Sequence, residues 1–167
     1  MGLAFDGLLG GHLLFAVIWI ATSFVGVAML SRVVKAPANI SALKNALMTR
    51  ALVAASGGLT VLIGAGFYYY VEFYRTSYAI SAKGLPLVDA GALIGVIAFI
   101  WQTAQGARIR RALKEQLASL RSTTTVSNAP TVQSSQLQTK LPSRAMLIIP
   151  PILLVVAFLL MGAGAMM

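Results

Sequence analysis

The chain has 167 residues, of which 58% are hydrophobic and 10% charged, with 13 Lys and Arg against 4 Asp and Glu, a formal net charge of +9 and no cysteine. A soluble domain carries roughly 25% charged residues, so this composition and the mean hydropathy of +0.83 exclude a water-soluble globule and point to an integral membrane protein. The absence of cysteine excludes disulfides, thiolate nucleophiles and thiolate-ligated metals.

Four stretches reach the roughly 20 apolar residues that a helix needs to cross a bilayer: about 8–31, 51–71, 85–106 and 145–165. The expected fold is all-α, a single membrane domain over 1–167 built as a four-helix bundle, with no room for a separate catalytic domain.

The first span is too long for the apolar core of a signal peptide, and no Lys or Arg precedes it, so it is expected to remain in the mature protein. His12, Ala16, Trp19, Ser23, Gly26 and Leu30 follow one another by three or four residues and form one helical face. After this span come Arg32, Lys35, Lys44 and Arg50, here assigned to a basic connection. Asn39-Ile40-Ser41 matches the N-glycosylation pattern there, on the side predicted to be cytoplasmic, and is read as accidental.

In the second span Ala54, Gly57, Val61, Gly64 and Tyr68 form the small-residue face. Phe67, Tyr68, Tyr69, Tyr70, Phe73, Tyr74 and Tyr78 gather at its far end and read as an aromatic belt at the headgroup level.

The third span presents Gly91, Gly95, Ala98, Gln102 and Gln105 on one face. Beyond it the helix is expected to extend into the cytoplasm, because Ile109, Leu113, Leu117 and Leu120 keep a helical spacing among Arg108, Arg110, Arg111, Lys114 and Arg121. That stripe is expected to lie on the anionic leaflet or to dock on a partner. Residues 122–140, rich in Ser, Thr, Gln and Asn, are expected to form a flexible cytoplasmic linker. In the fourth span Pro150 and Pro151 are expected to bend or shorten the helix, while Gly162, Ala163 and Gly164 favour fraying or very close packing.

Two connections hold all the basic residues except Arg75 and Lys83. The positive-inside rule then places both termini outside and the two basic connections in the cytoplasm of a multi-pass protein of the cell membrane. The high charge is accounted for as a topological signal. Nucleic acid is not expected as a partner, since no aromatic residues are interleaved with the basic ones.

Small residues let membrane helices approach closely, which makes Gly57, Gly64, Gly91 and Gly95 the candidate packing positions. His12 is the only histidine. An imidazole in hydrocarbon is expensive to bury, which marks it as a candidate site with Trp19 on the same face. Glu72 and Asp89 lie at a similar depth and are candidates for an outer polar cluster with it. Met161, with His12, is a candidate ligand pair for Cu(I), the thioether being a soft donor. A haem is the other group such a face can hold, with His12 as axial ligand.

Gly11-His12-Leu13-Leu14-Phe15-Ala16-Val17-Ile18-Trp19-Ile20 resembles the opening of a group of small four-span membrane proteins, in which a histidine and a tryptophan in the first span are separated by six residues. The group includes the DUF2269 proteins, the CopD copper-resistance domain and the HemJ-type protoporphyrinogen oxidases. In its haem-linked members the first-span histidine is the candidate haem ligand, which maps to His12. Leu30-Ser31-Arg32 stands where the oxidases carry Leu-Pro-Arg. The resemblance implies a haem-associated or redox-linked membrane protein, with haem b as the expected cofactor and copper as the alternative. Another expectation is a non-catalytic accessory subunit, associated in the lipid bilayer with other membrane subunits or with further copies of itself.

Overall fold

The computed structural model describes residues 2–74, 84–123 and 141–166, which form four helices: α1 (Gly2–Lys35), α2 (Ile40–Tyr74), α3 (Leu85–Thr123) and α4 (Arg144–Ala165). All four are long and apolar enough to cross a membrane. They stand in a ring, with α1 and α3 each packed on α2 and α4. The chain is therefore all-helical and fits a multi-pass membrane protein.

Each helix boundary has a local cause. At the end of α1 the Ala36 N–H donates to the Arg32 carbonyl at 2.9 Å. Asn39 caps α2, its Oδ1 accepting from the Ala42 N–H at 2.9 Å. That engagement gives the Asn39-Ile40-Ser41 pattern a structural use. Pro86 lies in the first turn of α3, where a missing N–H costs nothing. Ser143 Oγ accepts from the Met146 N–H at the start of α4.

Pro150 and Pro151 do not shorten α4, which runs through both. They remove the N–H groups that would bond the carbonyls four residues back, but both are fully buried in the bundle. Their packing holds the helix where isolated propensity would end it. Ser122 and Thr123 close α3, so the expected linker begins two residues too early; its remainder, 124–140, lies outside the described residues.

A seven-residue repeat organises the interior. On α1 it runs through His12, Trp19, Gly26 and Val33; on α2, in reverse, through Gly64, Gly57, Arg50 and Leu43; on α3 through Gly95, Gln102, Ile109 and Gln116. A period of 3.5 residues keeps one stripe facing its neighbours along a whole helix. Large side chains on one helix meet glycine on the next. A Cβ on Gly57 would stand 2.8 Å from the Trp19 indole, one on Gly64 would stand 2.8 Å from the His12 ring, and one on Gly26 would meet the Arg50 guanidinium carbon at 3.8 Å.

This places the inward face of α2 slightly round from the one expected. Val53 and Thr60 are buried, whereas Ala54 and Val61 are half-buried and Tyr68 is 56% exposed. The buried hydroxyls are satisfied by their own helix: Ser56 Oγ donates to the Leu52 carbonyl and Thr60 Oγ1 to the Ser56 carbonyl, both at 2.8 Å. Such back-bonded hydroxyls behave as small packing groups.

On α3 and α4 the closest approach is where α3 begins and α4 ends. Gly84 and Gly164 lie so close that a methyl on Gly164 would stand 2.6 Å from the Gly84 carbonyl oxygen, and one on Gly91 would stand 2.7 Å from that of Ala157. Gly95, by contrast, has open space, with nothing within 4 Å of a Cβ. The close packing expected there is not made.

The stripe on the extension of α3 packs on the bundle itself, where an outside leaflet or partner was expected. Ile109 and Leu113 are fully buried with Leu30, Val33, Leu43, Ala46 and Leu147, and Leu117 and Leu120 pack against that cluster. The reason is length. With 34, 35 and 39 residues, α1, α2 and α3 extend about 50–60 Å, well past the ~30 Å of hydrocarbon, so α1 and α2 continue alongside α3 and cover its stripe. Gln116 Nε2 also donates to the Pro37 carbonyl between α1 and α2. Along the rest of the bundle the outward faces are apolar, with Leu62 and Leu93 more than 60% exposed. A surface of that kind suits contact with lipid or with other apolar helices.

Candidate functional site

His12 lies on the inward stripe of α1, half-buried, against the bare backbone of Gly64. Its Nδ1 is 3.1 Å from the Thr60 carbonyl oxygen. A carbonyl only accepts, so Nδ1 carries the proton and donates, which leaves Nε2 with its lone pair. Among the described residues this is the one hydrogen bond of the ring. An imidazole whose Nδ1–H is anchored on a backbone carbonyl has its tautomer and orientation fixed and presents Nε2 as a ligand. Thr60 escapes a sequence reading because it contributes a main-chain oxygen, which any residue carries.

One heptad further along the bundle Trp19 is buried. Its Nε1–H donates to Gln102 Oε1 at 2.7 Å, Gln102 Nε2 donates to Ser23 Oγ at 3.0 Å, and Ser23 Oγ donates to the Trp19 carbonyl at 2.7 Å. The indole also meets Phe99 edge-on, with centroids 5.9 Å apart. These bonds cross the diagonal of the ring from α1 to α3 and are buried, so no water replaces them. The indole N–H is thus fully engaged. Trp19 fixes the rotation of α1, and with it the direction of His12.

Neither Asp89 nor Met161 is bonded to His12. Asp89 is exposed on α3, and the side chain of Glu72 lies outside the described residues. No three His, Cys, Asp or Glu side chains converge among the described residues. Met161 rests on Gly91, with its Cγ 2.6 Å from a Cβ built there, and so belongs to the packing of α4 on α3. Of the aromatic belt, Tyr68 and Tyr69 are exposed, and residues 70–83 lie outside the described side chains.

Arg50 was missed as a buried residue. It is 8% exposed on the inward stripe of α2, and its Nε and Nη2 have no hydrogen-bond partner among the described residues. The signal was present: Arg50, Gly57 and Gly64 are seven residues apart. Comparison with known protein families, with curated proteins and with solved structures finds no match for the chain.

Proposed function

We propose that the protein is a haem-associated, redox-linked membrane protein in which His12 Nε2 is an axial ligand. The observation that carries this reading is the hydrogen bond from His12 Nδ1 to the Thr60 carbonyl, which leaves Nε2 with an unpartnered lone pair at membrane depth. Gly64 beneath the ring and the open space at Gly95 on the same register of α3 supply small-residue surroundings. With no cysteine for covalent attachment the group is a b-type haem, and when bound it supplies one-electron transfer. This chain's residues hold and orient: Thr60 fixes the tautomer, Gly64 admits the ring, and Trp19 with Gln102 and Ser23 locks α1. Both termini lie outside and the basic connections in the cytoplasm, which puts His12 near the outer surface.

The test is the absorption spectrum of the protein purified from haem-replete cells. Wild type should show a Soret band, and His12→Ala should lose it while still inserting in the membrane, because alanine is a good helix former. A colourless wild type would overturn the reading and favour an accessory subunit. Bound copper without a Soret band would overturn it in favour of a metal site.

A further inference from the structure

The chain buries a cation far from His12. Arg50 lies fourteen residues from Gly64, about 21 Å along α2, so the two positions cannot contact a single small cofactor. The Arg50 guanidinium packs against Gly26 of α1, and the N–H groups of its Nε and Nη2 are buried with no acceptor among the described residues. A guanidinium carries five N–H donors, so more than half of its donor capacity is unused. Uncompensated buried charge is costly. The chain holds only four carboxylates, Asp6, Glu72, Asp89 and Glu115. The one at this end of the bundle, Glu115, is on an exposed position of α3.

Beside Arg50 a groove opens between α2 and α3. Arg110, Gln102 and Thr103 line it with Arg50, and Val53 and Phe99 form its apolar wall. Gly106 forms part of the floor, and a Cβ there would meet nothing within 4 Å, so the groove is left unfilled by side chains. Arg110 lies about 37 Å along α3, beyond the ~30 Å of hydrocarbon. Val53 and Phe99 lie deeper, toward the membrane centre. The groove therefore runs from two guanidinium groups at the headgroup level to an apolar wall within the hydrocarbon.

We infer that this groove binds an anionic phospholipid, its phosphate held by Arg50 and Arg110 and its acyl chain laid along Val53 and Phe99. Guanidinium groups match phosphate oxygens in geometry and charge. The phosphate supplies a counter-charge to the buried Arg50 guanidinium that lines the groove, and the apolar wall separates a lipid from a free phosphate ion. The site depends on no ligand at His12.

Thermal unfolding of the full-length protein in a non-ionic detergent, followed by tryptophan fluorescence, tests this. Phosphatidylglycerol added to the micelles should raise the transition temperature, whereas phosphatidylcholine and inorganic phosphate should not. Arg110→Gln should raise the half-maximal phosphatidylglycerol concentration about tenfold, the loss of one charge-assisted hydrogen bond. Arg111→Gln, at an exposed position on the same helix, should leave it unchanged. Arg50→Met should abolish the response and, without lipid, be at least as stable as wild type, since it removes an unpaired buried charge. An equal response to phosphatidylcholine, a full response to inorganic phosphate, a response retained in Arg110→Gln, or an Arg50→Met protein less stable than wild type without lipid would each overturn the inference.

Discussion

The bonds among Trp19, Gln102 and Ser23 join α1 to α3 across the ring, beside the edge-on contact of Trp19 with Phe99. Polar contacts between membrane helices are worth about 0.6 kcal/mol on average and at most about 2 kcal/mol. Gln102→Leu should cost about 1–2 kcal/mol, because it leaves the buried indole N–H without an acceptor and removes the N–H that Ser23 Oγ accepts. Adding Trp19→Phe should recover part of that loss, and a double-mutant cycle on unfolding free energies checks the coupling. At Gly64, valine would place methyl groups in the space of the His12 ring, so Gly64→Val should lose any ligand bound at Nε2 even though the histidine is retained. His12 and Trp19 were legible in the sequence because an imidazole and an indole stand out on an apolar helix. Arg50 was not, because counting it with the basic connection hid its place on the glycine heptad.

Two energetic regimes divide the helices. At the basic end, beyond the length a bilayer core needs, Ile109 and Leu113 are buried against α1 and α2. Leu113→Ala should cost about 2–5 kcal/mol, whereas Leu62→Ala on the outward face of α2 should change stability by less than about 0.5 kcal/mol. Within the membrane, close approach takes over. Gly91→Ala should destabilise the contact of α3 with α4, since its Cβ would meet the Ala157 carbonyl and Met161. Gly95→Ala should be neutral or stabilising by up to about 1 kcal/mol, from helix propensity alone. Thermal unfolding of the four variants in one detergent orders them. The length of the apolar runs identified all four helices, because 20-residue apolar runs have few other solutions. Sequence could not reveal which small residues touch, since Gly91 and Gly95 are one turn apart on the same helix and only the crossing point of α4 distinguishes them. The fate of the α3 stripe was hidden for a similar reason: its cover comes from the lengths of α1 and α2.

At the scale of the molecule, the bundle has a basic end with a water-side core and an opposite end near which His12 lies. If the basic end is cytoplasmic, a cysteine placed at Ser77 should react with an impermeant thiol reagent in intact cells, and one at Ser127 should be shielded. The reverse labelling would move His12 to the cytoplasmic side. The central claim, that the His12 imidazole ligates haem through Nε2, is tested most directly by deleting the ring and supplying it again. His12→Gly, purified and offered haem, should show no axial-histidine spectrum, and millimolar imidazole should restore the wild-type Soret band by filling the space beside Gly64. A haem spectrum unchanged in His12→Gly, or a band that imidazole does not restore, would contradict the account.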